Sequence, residues 1–378
     1  MSALEQRINA YIRDHQSEAE SLLETLGRIP APSRREDARA RSVRDWFLGQ
    51  GAEHVWIDAA KNVICAWETN KHPELVVFMA HTDIVFPDTE ALPMRRDGRR
   101  LYAPGIGDDT NNLVNLMMGA KYIIQNRLPV TKGILFIANA CEEGMGNLDG
   151  TKAIIRDFGD RITEFYSFDG YLSQCTSDAV GSHRFRITIK EQGGHSYLDF
   201  GRTNAIAVMA RLICDLYSQH LPDMAKTTYN VGQIEGGTTV NSIAQEASIL
   251  YEYRSPDEDC LQKMRRQLDD IIARYEGQHR INVELLGIRP GKGKFPENLL
   301  ESWTQENIGH IRKYYDGPMD LQAYSTDANI PLSQGILANT IGTVVGGMAH
   351  TREEWVDLDA IPTGMGIVLE IMGKYMCV

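Results

Sequence analysis

His81 and Asp83 are the first residues along the chain whose types and spacing suggest chemistry. They follow the apolar run 75–80, at the predicted end of a buried strand, where residues two apart point to the same side. An imidazole can bind a metal ion through one ring nitrogen while a carboxylate orients the other. Taken alone, however, the pair is better explained by ordinary hydrogen bonds at a strand end than by a metal site.

Acidic residues recur at the ends of later predicted strands. Glu142 and Glu143 follow an apolar strand predicted at 133–140, and Asp169 follows another at 164–168. In open α/β sheets, ligands bind in the crevice at the carboxyl ends of the strands. Because adjacent carboxylates repel one another, their convergence in one crevice favours bound cations.

Asp108 and Asp109 form a second acidic pair, in a glycine-containing loop ahead of a helix predicted at 113–125. One aspartate could cap this helix, and both would interact favourably with the positive end of its dipole. Capping and metal binding are therefore both open for this pair.

The composition excludes several classes of function. The chain has 378 residues, of which 43% are hydrophobic and 24% charged, as in a globular protein with two domains. Subtracting 51 acidic from 39 basic residues gives a net charge of -12, which argues against nucleic acid or an anionic membrane as the main partner. With no signal-like or membrane-spanning segment and no C-x-x-C cysteine pair, we expect a cytoplasmic protein with reduced thiols.

Strands and helices alternate in the elements that must position these residues. The spacing of apolar residues over 4–28 predicts one or two helices, and Ser33 is expected to cap a helix at 35–48. Residues 88–104 are expected to form a long polar connection, and a strand predicted at 341–345 leads towards His350.

From residue 181 the order of elements becomes strand, helix, strand, strand, helix, strand. This order predicts an inserted ferredoxin-like (βαββαβ) domain over residues 181–290. The predicted fold class is α/β, with one domain formed by residues 1–180 and 291–378 on either side of the insert.

In their order along the chain, these motifs resemble the co-catalytic di-zinc exopeptidase family, which includes aminoacylase, glutamate carboxypeptidase, peptidase T and succinyl-diaminopimelate desuccinylase. The resemblance covers nearly the whole chain and implies that residues 1–180 and 291–378 form a mixed-sheet catalytic domain. It rests on H-x-D at 81–83, G-x-G-D-D at 105–109, E-E-G at 142–144, Asp169, G-G-H-S at 193–196, G-G-T-T-V-N at 236–241 and G-G-x-x-H at 346–350. Each motif is weak singly, but the ordered set is specific.

The resemblance implies a site with two Zn²⁺ per chain, for which Co²⁺ or Mn²⁺ could substitute. The implied ligands are His81 and Asp169 for one metal, Glu143 and His350 for the other, and Asp108 as a bridge between both. In such a site the cations polarise the scissile carbonyl and lower the pKa of the attacking water.

Three neighbouring acidic residues have other implied roles. Glu142 is the general base that takes the proton of the water and passes it to the leaving amine. Asp83 orients His81, and Asp109 is a neighbour of the bridging aspartate rather than a ligand.

The resemblance also implies substrate-binding residues in the insert, which is expected to act as a lid and dimerisation domain. His195 matches a histidine that reaches an active site, often that of the partner subunit, and Asn241 and Arg254 match residues that hold the substrate's backbone and carboxylate. Without the resemblance, Asn241 and Arg254 would be assigned to a turn or a salt bridge.

The chain also departs from the family pattern. Thr110 and Asn111 stand where the family usually has lysine and glycine, and Cys141 stands where an acidic residue commonly precedes the glutamate pair. None of the three is an implied ligand.

The expected function is hydrolysis of an amide bond in a small peptide by a di-zinc exopeptidase, working as a homodimer through the insert. An N-acyl-amino-acid deacylase, acting on a non-peptide acyl group with the same site, is the alternative. A non-catalytic metal-binding scaffold of the same fold is more remote, because such a protein could lose the base Glu142.

Overall fold

The computed structural model describes residues 3–377, and the chain divides into two compact units. The first unit consists of Met1–Asp178 and Gly293–Val378, and the second consists of Ala179–Lys292, which interrupts the first in the sequence.

The secondary structure of the described residues alternates strands and helices along most of the chain. The strands are β1 (Val55–Ile57), β2 (Val63–Trp67), β3 (Leu75–His81), β4 (Arg95–Asp97), β5 (Arg100–Tyr102), β6 (Gly133–Asn139), β7 (Ile162–Phe168), β8 (Cys175–Thr176), β9 (Gly181–Lys190), β10 (Gly194–His195), β11 (Thr228–Gly236), β12 (Ser242–Ile243), β13 (Glu246–Ser255), β14 (Arg280–Arg289), β15 (Leu337–Ile341), β16 (Gly346–Gly347) and β17 (Trp355–Asp357). The helices are α1 (Ala3–Gly27), α2 (Asp37–Gly49), α3 (Asn112–Gln125), α4 (Asp149–Phe158), α5 (Ala205–Tyr217), α6 (Glu258–Tyr275), α7 (Leu299–Ile311), α8 (Asn329–Ser333) and α9 (Ile361–Gly373).

A sheet with the strand order β1-β2-β6-β3-β7-β15-β8 forms the centre of the first unit. Strands β6, β3, β7 and β15 are parallel, whereas β1, β2 and β8 pair antiparallel with their neighbours. The predicted mixed-sheet α/β fold is therefore confirmed.

The core of this unit explains why the central strands are continuously apolar in sequence. Every residue of β3 and β6 is buried, as expected for strands covered on both faces. Phe78 stacks on Tyr166 with 5.1 Å between ring centroids, and Phe136 and Phe168 stack on Phe78 at 6.1 Å. This packing places the carboxyl end of β3 in a rigid surrounding.

A smaller antiparallel sheet, of order β16-β17-β5-β4, also belongs to the first unit. Its strands β4 and β5 form a hairpin inside residues 88–104, where the sequence pattern predicted only a polar connection. Trp355 pairs with Tyr102 and Val356 with Leu101, which joins this hairpin to the chain segment after His350.

In the second unit, an antiparallel sheet has the order β11-β13-β9-β14. The chain order β9-α5-β11-β13-α6-β14 confirms the predicted ferredoxin-like arrangement. Asn204 and Asp257 begin the two helices, because their side chains accept hydrogen bonds from backbone N–H groups of the first helical turn. Alternate residues of β13 are buried, as expected when one face of a sheet packs on helices.

Two further local predictions are wrong. Helix α2 begins at Asp37, and Ser33 does not cap it but donates its hydroxyl hydrogen bond to Oδ2 of Asp83 at 2.6 Å. In place of the strand predicted at 341–345, the structure has β15 at Leu337–Ile341. The backbone of Gly342 approaches Tyr171 so closely that a Cβ there would lie 1.8 Å from the Tyr171 carbonyl oxygen, and the chain leaves the sheet at this contact.

The structure also bears on the membrane and the thiols. Among the helices of residues 3–377, none has the combination of length and low polarity that crossing a bilayer requires. The six cysteines are free thiols, and Cys65, Cys141, Cys175 and Cys260 are buried.

Candidate metal centre

The carboxyl ends of three neighbouring parallel strands carry most of the predicted site. His81 is the last residue of β3, and Asp169 directly follows β7. Glu142 and Glu143 lie shortly beyond the end of β6, on the other side of β3. The sheet thus presents an imidazole and several carboxylates along one edge.

Potential ligand atoms converge in three groups, within each of which the atoms lie within 4.8 Å of one another. The groups are His81, Asp108 and Asp169; Asp108, Glu143 and His350; and His81, Glu142 and Glu143. Asp108 is shared by the first two groups, which correspond to the two sets of ligands implied by the sequence motifs. The structure brings all five predicted ligands together, and their binding of metal stays a prediction.

His81 is held by contacts to all of its polar atoms. Its Nε2 lies 3.1 Å from Oδ1 of Asp108, and its backbone N–H donates to Oδ2 of Asp109 at 2.9 Å. Its Nδ1 lies 3.0 Å from the backbone carbonyl oxygen of Asp83 and 3.5 Å from the Asp83 carboxylate. Asp83 thus faces the nitrogen of His81 that points away from Asp108.

The Asp83 carboxylate also organises the loop that carries the glutamate pair. Oδ1 accepts the backbone N–H of Glu142 at 3.0 Å, and Oδ2 accepts that of Glu143 at 2.9 Å. The Ser33 hydroxyl donates to the same Oδ2 and lies 3.1 Å from the carbonyl oxygen of Glu143. One fully buried carboxylate therefore positions both glutamates through their backbone.

His350 reaches the site from the far end of the chain. Its Nε2 lies 3.1 Å from Oδ2 of Asp108 and 3.3 Å from Oε1 of Glu143, and its side chain is 57% exposed, so this part of the site is open to solvent. The backbone of His350 is in the left-handed region, with φ of 62°. Arg352 forms two hydrogen bonds of 2.8 and 2.7 Å to Asp88, which fasten the His350 loop to the segment after β3.

The pKa values of these groups reflect a dense negative charge. Burial alone would lower the pKa of His81, but the nearby carboxylates of Asp109, Asp108 and Asp83 raise it well above its ordinary value. The Asp108 and Glu143 carboxylates raise the pKa of His350 to about 10. Both imidazoles are therefore protonated at neutral pH when protons are the only available cations.

The pKa values of the carboxylates show that the site has more negative groups than positive groups to balance them. Burial raises the pKa of Asp169 well above its ordinary value, and the neighbouring Asp108 and Glu142 carboxylates raise it further. Burial likewise raises the pKa of Glu143. Burial also opposes ionisation of Asp108, but the His350 and His81 rings lower its pKa below the usual range. In this site, bound protons neutralise part of the negative charge, and divalent cations can neutralise it in their place.

The donor set fits divalent metal ions. Imidazole and carboxylate donors together suit Zn²⁺. Oε1 of Glu143 is buried, and its 3.3 Å contact with Nε2 of His350 is an ion pair that lacks the geometry of a hydrogen bond. A buried carboxylate oxygen is unfavourable unless a cation compensates it, and a metal ion bound by Glu143, His350 and Asp108 would provide that positive charge in place of the proton on His350.

Glu354 is a part of the site that the sequence motifs did not indicate. Its buried carboxylate accepts the backbone N–H groups of Gly105 at 2.8 Å, Gly107 at 2.8 Å and Asp108 at 2.7 Å. The sequence contains no signal for this contact, because Glu353-Glu354 is an ordinary charged pair until the chain folds.

Arg39 is a second residue that sequence reasoning missed. It is fully buried and donates to the backbone carbonyl oxygen of Thr82 at 2.9 Å and to the hydroxyl of Thr110 at 3.2 Å. Burial lowers the pKa of Arg39 to about 10. One of the departures from the family pattern, Thr110, is therefore a contact of this buried arginine.

Asp327 also lies close to the site. Asn139, the last residue of β6, donates to Oδ2 of Asp327 at 2.6 Å, and the hydroxyl of Thr151 donates to Oδ1. Burial and the negative charge of Glu142 raise the pKa of Asp327 to about 7.

The predicted substrate-binding residues all lie in the second unit. His195 and Asn241 are exposed neighbours, because β10 pairs with β12 and the N–H of Ser196 donates to the carbonyl oxygen of Asn241 at 3.0 Å. Arg254 lies on β13, where its guanidinium donates to both carboxylate oxygens of Glu252 at 2.9 and 3.1 Å. This is the salt bridge that the residue pattern alone suggested, and a substrate role for the three residues stays a prediction.

Family models match two segments of the chain. Residues 179–280 match a peptidase dimerisation domain, and residues 62–199 match peptidase family M28. Most of the second unit falls within the first matched range, and His81, Glu142, Glu143 and Asp169 fall within the second.

Two curated proteins are similar in sequence. The uncharacterized protein YqjE of Bacillus subtilis is 24% identical over 331 residues, which are 83% of this chain and 84% of that protein. Succinyl-diaminopimelate desuccinylase of Nitrosococcus oceani is 26% identical over 240 residues, which are 58% of this chain and 62% of that protein.

Solved structures share the fold along nearly the whole chain. A tripeptidase from Staphylococcus aureus superposes with a TM-score of 0.73 at 21% identity, covering 94% of this chain and 97% of that one. A dinuclear metal-binding peptidase of the M20 family from Bacillus subtilis superposes with a TM-score of 0.62 at 15% identity, covering 96% and 99%. At these identities the likeness establishes the fold, which is the one that the motifs implied.

Proposed function

We propose, on the premise that this chain is a metallopeptidase of the M20 type, that it hydrolyses an amide bond in small peptides with two metal ions. The observation that carries the proposal is the pair of ligand groups that share Asp108, one completed by His81 and Asp169 and the other by Glu143 and His350. A shared carboxylate between two such groups is the arrangement that a two-metal hydrolase requires.

Zn²⁺ is the proposed metal, with Co²⁺ or Mn²⁺ as substitutes, because the ligands combine imidazole and carboxylate. When bound, the two ions polarise the scissile carbonyl and lower the pKa of the attacking water. Asp83 keeps His81 oriented through its contacts to Nδ1, which leaves Nε2 directed at Asp108 and the metal position.

Glu142 is proposed as the general base. Its side chain is buried, and a carboxylate oxygen lies within 4.8 Å of ligand atoms of His81 and Glu143. The Asp83 carboxylate fixes its backbone N–H, so its side chain starts from a defined position. The carboxylate of Glu142 takes the proton of the attacking water and transfers it to the leaving nitrogen.

An N-acyl-amino-acid deacylase is the second candidate. The similarity to succinyl-diaminopimelate desuccinylase favours it, because that name describes removal of an acyl group from an amino nitrogen. The ligands and the base are the same in both candidates, so only the group on the acyl side of the amide distinguishes them.

We propose a homodimer as the active form, since residues 179–280 match a peptidase dimerisation domain. Light scattering on the purified chain tests this directly, and a monomer at micromolar concentration would contradict it.

Metal analysis tests the site. The purified chain, saturated with Zn²⁺ and freed of excess, is expected to hold about two ions per chain. His350→Ala removes a ligand from only one of the two groups and is expected to reduce this to about one. His54→Ala, which alters an exposed histidine elsewhere in the first unit, is the matched control. Full occupancy in His350→Ala would contradict the proposed ligand set.

A substrate screen tests the reaction. Dipeptides and tripeptides are compared with N-acetyl and N-succinyl amino acids, using the Zn²⁺-loaded protein and its chelated form. Turnover of peptides that disappears with chelation supports the first candidate, whereas selective turnover of the acylated amino acids supports the deacylase. Inactivity on every substrate by a fully loaded protein would overturn both.

A further inference from the structure

Glu354 belongs to the same short segment as His350, and the two residues hold Asp108 from different sides. The Glu354 carboxylate accepts the backbone N–H of Asp108, while Nε2 of His350 lies 3.1 Å from the Asp108 side chain. Movement of this segment therefore changes both the position of the shared aspartate and the position of one of its partners.

The segment itself is fixed on its C-terminal side. The backbone N–H of Ala103 donates to the carbonyl oxygen of Glu354 at 3.1 Å, and the next residue, Trp355, begins β17 and pairs with Tyr102 of β5. Glu354 is thus attached to the small antiparallel sheet at its backbone and to the acidic loop at its side chain.

The acidic loop is shaped to receive this carboxylate. Gly105 has a φ of 69°, a conformation that favours glycine, and its N–H donates to Oε2 of Glu354. A Cβ at Gly107 would lie 3.1 Å from Oε1 of Glu354 and 3.2 Å from the hydroxyl of Tyr171. The backbone passes so close to both groups that a methyl group at Gly107 would press on Glu354 and on Tyr171 at once.

We propose that Glu354 is a positioning residue that sets the place of Asp108 between the two metal ions and so couples their binding. The inference rests on the proposed two-metal site. It assigns Glu354 no contact with metal or substrate, since its carboxylate oxygens are engaged by backbone N–H groups of the loop. Asp108 can serve both ions only if its backbone is held, and Glu354 provides three of the hydrogen bonds that hold this loop.

Glu354→Gln tests the proposal, because an amide keeps the size of the side chain but turns one acceptor into a donor that faces an N–H group. We expect the Zn²⁺ beside Glu143 and His350 to bind about 10- to 100-fold more weakly, the range seen when groups that orient ligands are removed. The ion beside His81 and Asp169 should bind with an affinity closer to that of the unmodified chain, because Glu354 lies on the same segment as His350, a ligand of the other ion only.

The measurements are competitive chelator titrations for the two stepwise affinities and the absorption spectrum of the Co²⁺-loaded chain. Glu353→Gln is the matched control, because the neighbouring Glu353 side chain is 73% exposed. A general loss of stability would leave the ratio of the two affinities unchanged, whereas the proposed role changes it. With a cleavable substrate, kcat should fall while KM stays nearly constant.

Gly107→Ala is a second variant that reaches the same contact from the loop side, and it serves if Glu354→Gln does not fold. Its added methyl group is expected to change the same affinity ratio. Unchanged affinities and an unchanged Co²⁺ spectrum in either folded variant would overturn the role of Glu354. By contrast, an unmodified chain that binds no metal would overturn the proposed function itself.

Discussion

Asp83 illustrates how much a single residue contributes to this site. The motif implied that Asp83 orients His81. In the structure, Nδ1 of His81 faces both the carbonyl oxygen and the carboxylate of Asp83. The same carboxylate accepts the backbone N–H groups of Glu142 and Glu143. Asp83 therefore links the end of β3 to the loop after β6, a role for which spacing in the sequence provides no sign.

Glu142→Gln tests the proposed general base. The amide has nearly the same shape but cannot accept the proton of water, so kcat is expected to fall about 10²- to 10⁴-fold while both metal ions remain bound. Steady-state kinetics together with metal analysis measure the two effects separately. Glu301→Gln, at an exposed position of α7, is the control. A variant that loses metal in proportion to activity would instead make Glu142 a ligand.

At the scale of secondary structure, the site depends on which strands are adjacent. The order β6-β3-β7 places the end of β3 between the loops that carry Glu143 and Asp169. The small sheet formed by β16, β17, β5 and β4 brings His350 and Glu354 to Asp108. Parallel strands therefore supply one set of ligands, and the antiparallel sheet supplies the residues that complete the other.

Ser33 joins two elements of the first unit. It lies just before α2, and its hydroxyl donates a hydrogen bond to the carboxylate of Asp83, just after β3. Ser33→Ala removes a hydrogen bond to a buried charged group, which is expected to cost about 1–2 kcal/mol of unfolding free energy and to lower kcat/KM about tenfold. Ser21→Ala, on the exposed surface of α1, is the control, and both effects should be absent there. Unfolding in urea and steady-state kinetics check the prediction; wild-type values for Ser33→Ala would mean that Asp83 positions the glutamate loop without it.

At the scale of the whole molecule, the buried carboxylates link stability to pH and metal. Burial raises the pKa values of Glu143, Asp327 and Glu354 to about 7. Each group therefore binds more protons in the folded state than in the unfolded state over a window from about pH 4 to about pH 7. The stability from these protons is complete below that window and is lost as the pH rises through the folded pKa.

The raised pKa values of the imidazoles also make the folded chain less stable as the pH rises. The pKa of His350 is raised to about 10, so the stability from its protonation is lost as the pH rises from its unfolded pKa towards that value. The carboxylates with lowered pKa values, such as Asp83, contribute stability that is lost only in acid, below this range.

We therefore expect the metal-free chain to lose at least about 2 kcal/mol of unfolding free energy between about pH 5 and about pH 8.5. The Zn²⁺-loaded chain should lose less unfolding free energy, because the metal ions take the place of the protons. Protons also compete less well for the ligands as the pH rises, so metal binding strengthens. Urea unfolding at several pH values, with chelator or with saturating Zn²⁺, measures both curves. A metal-free stability that is constant or rises over this range would contradict the charge balance derived for the site.

The sequence by itself determined the main elements and the identity of the candidate ligands. The buried strands β3 and β6 are almost continuously apolar, His81 ends β3 and the glutamate pair lies shortly beyond the end of β6, so local pattern was sufficient. The βαββαβ order of the second unit was visible for the same reason, because the spacing of apolar residues changes between its strands and its helices.

Only the tertiary structure decided which of these residues meet and what supports them. Glu354 and Asp108 are 246 positions apart in the chain, and Ser33 and Asp83 are 50 apart. No local pattern encodes such contacts, because a buried hydrogen bond depends on where two distant backbones approach each other. The end of β15 at Ile341 has the same cause, since Gly342 packs closely on Tyr171 at the point where the sequence pattern predicted a strand over 341–345.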